Sequence, residues 1–380
     1  MGEIMVPLEC EIITEEDRLT RIGAHWETLL AELGERGTPF MTPSWYHCWW
    51  GHFAAGARLN VVVVREGETV LAICPFMKRR LFMHGLPVRA LSFMENGNSL
   101  HNDLLVASRR REEVLEGLLA FLEGRGDWDV LQLNNIPVSS PNRDAVARLL
   151  EKRRLRHQFR PSFASPFVEV AGEWEPFLAG RPTKVRKAAR RVTSGMNQAG
   201  EWEVCEVVGW EEFLAEWSGV REVAERSWTH AIGDSLAEPV NASFFRELAR
   251  AAAAEGRLSL WLLKLNGATV AFEFHVRGAR IEYAMRASYD ERFAWLSPGT
   301  FLEMEIVKRL FQRGGSIRRL DLGGSFDQYK RRWCDHATSH VCLTVFNGRP
   351  RGRLAAFHEL ATVRLGRALR DRARNWRRQR

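Results

Sequence analysis

The stretch from Leu258 to Trp333 constrains the fold of this 380-residue chain more than any other. Leu258–Leu265 is an apolar run, Asn266-Gly267 is a two-residue turn, and Ala268–Val276 runs back. Asn-Gly between apolar runs specifies a hairpin, because both turn residues accept positive φ. Arg277-Gly278 turns the chain into a third strand, Arg280–Ala287. Ser297-Pro298-Gly299-Thr300 then opens a helix through Phe311, Gly314-Gly315 ends it, and Ser316–Leu322 reads as a fourth strand. A helix between two parallel neighbours aims its positive end at one edge of the sheet, and the unpaired amides there suit a phosphate.

The first half repeats this order. After a short strand, Thr14-Glu15-Glu16 opens one helix, and Thr42-Pro43 opens a second that carries Trp45, Trp49, Trp50 and Phe53. Of these, the tryptophans are expected in the core. Leu59–Val64 and Thr69–Phe76 form a hairpin, Val88–Phe93 and Asp103–Val106 are strands, and Arg109–Gly124 is a helix. Trp128–Leu133 is a strand, Asn142–Leu155 a helix and Phe167–Val170 a closing strand. In the second half, Arg181–Met196 is a basic helix, Trp202–Val207 a strand, and Glu211–Trp228 and Ser243–Glu255 are helices. The two hairpins, and the helix–strand pairs Arg109–Leu133 and Gly299–Leu322, recur at an offset of about 200 residues, too long for a solenoid. The chain also exceeds the usual size of one core. The expectation is an α/β fold with mixed sheets: one unit over 1–170, a second over 171–348, and an Arg-rich helical tail over 349–380.

The net charge of +8 belongs to that tail. Between Arg349 and Arg380 there are eleven Arg against Glu359 and Asp371, which leaves the other residues at −1. Such a tail suits an anionic surface, tRNA or an acidic carrier protein, or packs as a solvated helix through Leu354, Phe357, Leu360, Val363 and Leu369. No apolar run approaches the roughly 18 residues of a membrane span. Met1–Glu11 lacks the basic flank and apolar core of a secretory signal. The six cysteines show no CxxC or His-Cys spacing, which predicts reduced thiols, a cytoplasmic protein and no metal.

Several short motifs occur in a fixed order: Phe40-Met41-Thr42-Pro43-Ser44-Trp45, Ile73-Cys74-Pro75-Phe76, Ser297-Pro298-Gly299-Thr300, Asp321-Leu322-Gly323-Gly324 and Tyr329-Lys330-Arg331-Arg332-Trp333. Through them the chain resembles the CelD-type (BioF-like) acetyltransferases of the GNAT superfamily, over about residues 40–345. That family is similar to the Fem-type transferases, which have tandem GNAT units and take aminoacyl-tRNA as donor. The resemblance implies tandem GNAT-like domains and acyl transfer, without a metal, from acyl-coenzyme A to an amine or hydroxyl of a small-molecule or saccharide acceptor. Two alternatives stand beside it: an aminoacyl-tRNA-dependent transferase, and a non-catalytic docking protein of a polysaccharide or natural-product pathway. The chain departs from the usual GNAT phosphate loop, Arg/Gln-x-x-Gly-x-Gly/Ala. Its Arg292–Thr300 segment has one glycine, and Pro298 has no N–H. In the first unit, Ala107-Ser108-Arg109 has no glycine at all and reads as a degenerate scaffold.

Candidate site residues follow. Ser297, Gly299 and Thr300 are placed to hold the donor pyrophosphate, with Lys330 and Arg331 reaching phosphates. Strand alternation puts Glu273 and His275 together on one face, opposite Phe272, Phe274 and Val276. Either is a candidate proton acceptor, or is paired with Arg280 or Arg286. Asp321 ends a strand before two glycines, at the edge where ligands of open α/β sheets collect, and Tyr329 is a candidate acid for the leaving thiolate. Lys184 and Lys187 share a face of the basic helix, which suits donor phosphates or an RNA backbone. Asn96, Asn98, His101 and Asp103 form a polar cluster suited to the acceptor, which would enter between the units. Trp228 is a candidate lining residue. No Ser-His-Asp order, P-loop or HExxH occurs.

Overall fold

The computed structural model describes residues 7–324, 330–334 and 336–359. The first half contributes strands β1 (Glu9–Ile13), β2 (Arg58–Leu59), β3 (Val61–Glu66), β4 (Thr69–Cys74) and β5 (Phe76–Met83), then β6 (Leu86–Phe93), β7 (Leu105–Val106), β8 (Val130–Pro137) and β9 (His157–Glu169). The second half contributes β10 (Trp202–Val207), β11 (Leu258–Leu265), β12 (Ala268–Arg277), β13 (Ile281–Tyr289), β14 (Arg319–Asp321) and β15 (His336–Phe346). They form a small sheet, β1-β3-β4-β7, and an eleven-stranded sheet, β10-β11-β12-β13-β14-β9-β15-β8-β6-β5-β2, which runs through both halves.

The local signals act as expected at the hairpin. Asn266 and Gly267 take φ of 49° and 80°, and β11 and β12 pair antiparallel from Leu265↔Ala268 outward. In each half, one helix crosses over between two parallel neighbours. The Arg111–Gly124 helix joins β6 to β8, and the Pro298–Gln312 helix joins β13 to β14. The repeat seen in the sequence is therefore a repeat of topology.

One strand was not legible. The sequence suggests only Phe167–Val170, whereas β9 is thirteen residues long. Pro161 and Pro166 argue against a strand locally, since proline removes a ladder donor. Non-local pairing overrides them: β9 runs between β14 and β15, with Pro161 opposite Val341 and Pro166 opposite Ala337. The two halves thus interlock, because the last strand of the second half, β15, lies between two strands of the first, β9 and β8.

The FMTPSW motif also joins the halves. Thr42 Oγ1 accepts from Trp45 N at 3.1 Å and caps the Pro43–Phe53 helix. Trp45 and Trp49 are buried as expected. Phe40, also buried, meets Tyr283 of β13 edge-on at 5.4 Å.

The described part of the tail, 350–359, is helical and corrects the expected packing face. Leu354 and Phe357 are exposed. Ala355 and Ala356 instead pack on Val88, Val130 and Phe346. Gly352 lets the helix come close, since a Cβ there would lie 2.3 Å from Asn347 O. Leu360, Val363 and Leu369 lie outside the described residues. Among the described residues, no helix is long and apolar enough to cross a membrane.

Candidate active site

β13 and β14 stay paired only from Ile281↔Arg319 to Tyr283↔Asp321. β14 then ends, while β13 continues to Tyr289 with β12 as its neighbour on one side. The two strands part at Tyr283 and Asp321, so that among the described residues no strand pairs with that edge of β13 from Ala284 onward. A register shift on β12–β13 between Phe274 and His275 adds a bulge there. At the apex, Gly323 takes φ +60°, and a Cβ on it would lie 2.5 Å from Ala284 O. Gly323→Ala should therefore cost about 2–3 kcal/mol, read by urea unfolding; an unchanged midpoint would show that this turn is not held so tightly.

The Pro298–Gln312 helix begins beside the same strand. Ser297 precedes it with φ 55°, a left-handed conformation that aims the chain into the helix, and no side chain caps the start. Phe301 N bonds to Ser297 O, so the Gly299 and Thr300 amides stand one turn ahead of the first internal bond. A Cβ on Gly299 would lie 3.3 Å from Tyr289 of β13, so glycine here allows close approach. Arg332 donates to Thr300 Oγ1 at 2.7 Å and brings a guanidinium to this helix start. The sequence points to its neighbours Lys330 and Arg331 instead. Lys330 is buried, with its ammonium on Gly323 O, so it braces the glycine turn and does not reach out to a phosphate. Arg331 is exposed. The 3-10 turn Lys330–Arg332 sends these adjacent cations in different directions. Tyr329 lies outside the described residues.

Glu273 and His275 do share a face, but their partners correct the expectation. Neither Arg280 nor Arg286 pairs with them. His275 is fully buried, with Nδ1 2.8 Å from Glu282 Oε1 and Nε2 2.9 Å from Glu273 Oε2. Glu282 also receives Trp261 Nε1 at 2.8 Å, Ser259 Oγ at 3.0 Å and Arg277 Nε at 3.0 Å. Burial alone would lower the His275 pKa, but the two carboxylates override it and raise it to about 9. Burial would raise Glu282, and the bonds from His275 carry it down to about 2. His275 thus keeps its proton at neutral pH, so it serves as a buried cation and not as a base. Glu303, from the first turns of the Pro298 helix, receives Trp333 Nε1 at 2.8 Å; burial and the neighbouring Glu273 push it up to about 8. A protonated Glu303 does not oppose an anion at the helix start.

The opposite face of the same strands holds a second group. Asp321 Oδ2 lies 3.0 Å from His101 Nε2, and Asp321 Oδ1 accepts Ser165 Oγ at 2.5 Å and Gly323 N at 2.9 Å. His101 Nδ1 in turn meets His340 Nε2 at 2.8 Å, and Phe163 stacks on the His340 ring. Burial would raise the Asp321 pKa; the His101 charge and these bonds lower it below the usual carboxylate range. Burial and His101 push His340 down to about 4. Asp321 and His101 line a cavity of about 190 Å³ between the two halves, together with Asn102, Asp103, Tyr283 and Arg319 among others. His101 and Asp321 are 220 positions apart, and His340 carried no sequence signal at all.

The remaining candidates are spread out. Asn96 Oδ1 accepts Asn98 N at 3.1 Å, and Asn98 Oδ1 accepts Arg286 at 2.6 Å, so they brace β13 from the first half. Trp228 is half-exposed on the short Trp228–Ala231 helix, whose Thr229 touches Ser288. Lys184 and Lys187 are exposed on the Thr183–Ala199 helix, which packs on the Pro298 helix through Val185, Ala189, Val192 and Met196.

The sheet that parts beside this helix start defines the class: this is a mixed α/β GNAT-like fold. Residues 183–331 match the family model described as acetyltransferase (GNAT) domain. Among solved structures the chain is similar to FemX, with a TM-score of 0.58 and 10% identity, covering 92% of this chain and 100% of that one. It is also similar to a tandem GNAT protein from the clavulanic acid biosynthesis pathway, with a TM-score of 0.51 and 15% identity over 90% of this chain and 99% of that one. A conserved protein of unknown function from Bacteroides thetaiotaomicron aligns with a TM-score of 0.50 and 12% identity, over 90% and 100%. At these identities the likeness is one of fold. No curated protein sequence matches significantly.

Proposed function

We propose that the chain is a CelD-like acyltransferase that moves an acyl group from acyl-coenzyme A to an amine. The observation that carries this reading is the parting of β13 from β14 beside the Gly299 and Thr300 amides. A pyrophosphate fits that helix start, where two amides, the dipole and Arg332 converge, and a pantetheine arm fits along the β13 edge from Ala284 onward. When bound, the thioester supplies an electrophilic carbonyl.

The acceptor occupies the cavity between the halves, whose wall reaches the apex at Tyr283 and Asp321. An ammonium acceptor gives one proton to the Asp321 carboxylate, which His101 holds in place. The freed nitrogen lone pair attacks the thioester carbon. The C–N bond forms, the C–S bond breaks, and the second proton leaves with the thiol. Most of the rate comes from positioning two substrates at one apex. The Asp321–His101 pair is preferred over Glu273 because both of its members line an open cavity.

Thermal unfolding in the presence of acetyl-coenzyme A, coenzyme A and aminoacyl-tRNA tests the donor. Acetyl-coenzyme A should raise the midpoint as RT ln(1 + [L]/Kd). Arg332→Ala should weaken that binding about tenfold and leave the ligand-free midpoint within about 1 °C. Stabilisation by aminoacyl-tRNA alone, with steep salt dependence, would replace the donor.

A further inference from the structure

Three features of the cavity between the halves bear on what it accepts. The first is a cation without a carboxylate. Arg319 lines the cavity, half-buried, with its guanidinium carbon over the Phe167 ring, 3.9 Å from the centroid, and it makes no ion pair among the described residues. Stacking uses the face of the guanidinium and leaves its N–H edges for a planar anion. The second is a pair of unmet polar atoms. Asn102 is 1% exposed and Thr38 is 8% exposed; both line the cavity, and Asn102 Oδ1 and Thr38 Oγ1 have no hydrogen-bond partner among the described residues. Asn102 Nδ2 is committed to Asn134 O at 3.2 Å, which fixes the free atom as an acceptor. A buried orphan acceptor is costly and calls for a donor from the ligand.

The third feature is the charge of the lining. Asp321 accepts from Ser165 and Gly323 N and lies beside His101, and Asp103 accepts from Ser140, Asn142 and the Leu104 amide. Glu35 and Arg36 also line the cavity, with Arg36 donating to Ser108, so the lining presents both signs of charge. The volume of about 190 Å³ holds roughly six waters. That suits a compact molecule.

We propose that this cavity binds a free α-amino acid as the acyl acceptor, with its carboxylate on Arg319 and its amine toward Asn102 and Asp321. A plain amine would leave the guanidinium unpaired, and a neutral sugar would satisfy neither charge. The proposal rests on the transferase reading above for its chemistry, but binding can be measured apart from it.

The test is calorimetric titration of the full chain with the twenty protein amino acids, each binder being compared with its α-amide and its deamino acid. At least one amino acid should bind, and removing either charged group should weaken binding tenfold or more. In Arg319→Gln the amino acid and its amide should bind within about threefold of each other, while the thermal shift from acetyl-coenzyme A persists. Binding of none of the twenty, or equal binding of acid and amide by the wild type, overturns the proposal whatever the variant does. Amino-acid binding without any response to an acyl donor would sink the transferase reading and the acceptor role with it, and leave the amino-acid site standing.

Discussion

Asp321→Asn should lower kcat by at least about 100-fold with little change in fold, because a positioned proton acceptor contributes on that order. The substitution is close to isosteric. The amide oxygen can still accept from Ser165 and from Gly323 N, which preserves the turn at the apex. It removes the charge that sits 3.0 Å from His101 Nε2, and places an N–H₂ against that ring. The readout is release of free thiol from acetyl-coenzyme A with the bound amino acid as acceptor, alongside the unfolding midpoint. Donor affinity should stay unchanged, since the Gly299 amides lie at the other end of the β13 edge. His101→Gln should lower kcat less, because Asp321 remains ionised while its orientation loosens. Full turnover in Asp321→Asn would move the base elsewhere, with Glu273 the next residue to test.

Stability should fall as the pH rises from about 6.5 to 9, and His275 should be the main cause. Its folded pKa, about 9, lies above its ordinary 6.5. Protonation thus favours the folded state: the contribution is fully present below the unfolded value and is lost as pH rises through the folded one. The gap corresponds to about 3 kcal/mol. Glu282 has the opposite sign. Its folded pKa of about 2 against 4.5 stabilises above the ordinary value and is lost as pH falls through the folded one. Both contributions are therefore complete between about 4.5 and 6.5. Glu303, raised to about 8, steepens the alkaline loss from its own ordinary value upward. Urea unfolding at pH 6, 7.5 and 9 measures the slope, and His275→Gln should flatten it above 6.5. Glu282→Ala, which leaves His275 and Arg277 short of their shared anion, should cost about 3–5 kcal/mol at pH 6. A wild-type curve that is level from 6.5 to 9 would contradict the imidazolium assignment.

The stretch from Leu258 to Gln312 could be read almost residue by residue. Each of its signals is local: an Asn-Gly turn, alternation along a strand, a Ser-Pro-Gly helix start. The recurrence of a helix between parallel neighbours was equally visible, because it needs only order and spacing. Site residues were legible one at a time. Asp321 was marked by the two glycines after it, and His101 by its polar neighbours, but nothing along the chain shows that they touch.

What the sequence determined by itself was therefore the kind of unit and its repetition, through periodicity and turn chemistry acting over a few residues. The tertiary structure alone decided three things. It threaded β9, prolines included, between β14 and β15; it drove His275 inward onto Glu273 and Glu282; and it joined Asp321 to His101 and His340 across two halves. Each depends on which face of which strand meets a distant partner. That choice is fixed by burial and by the pairing of polar groups once the whole sheet has formed, and no local pattern contains it.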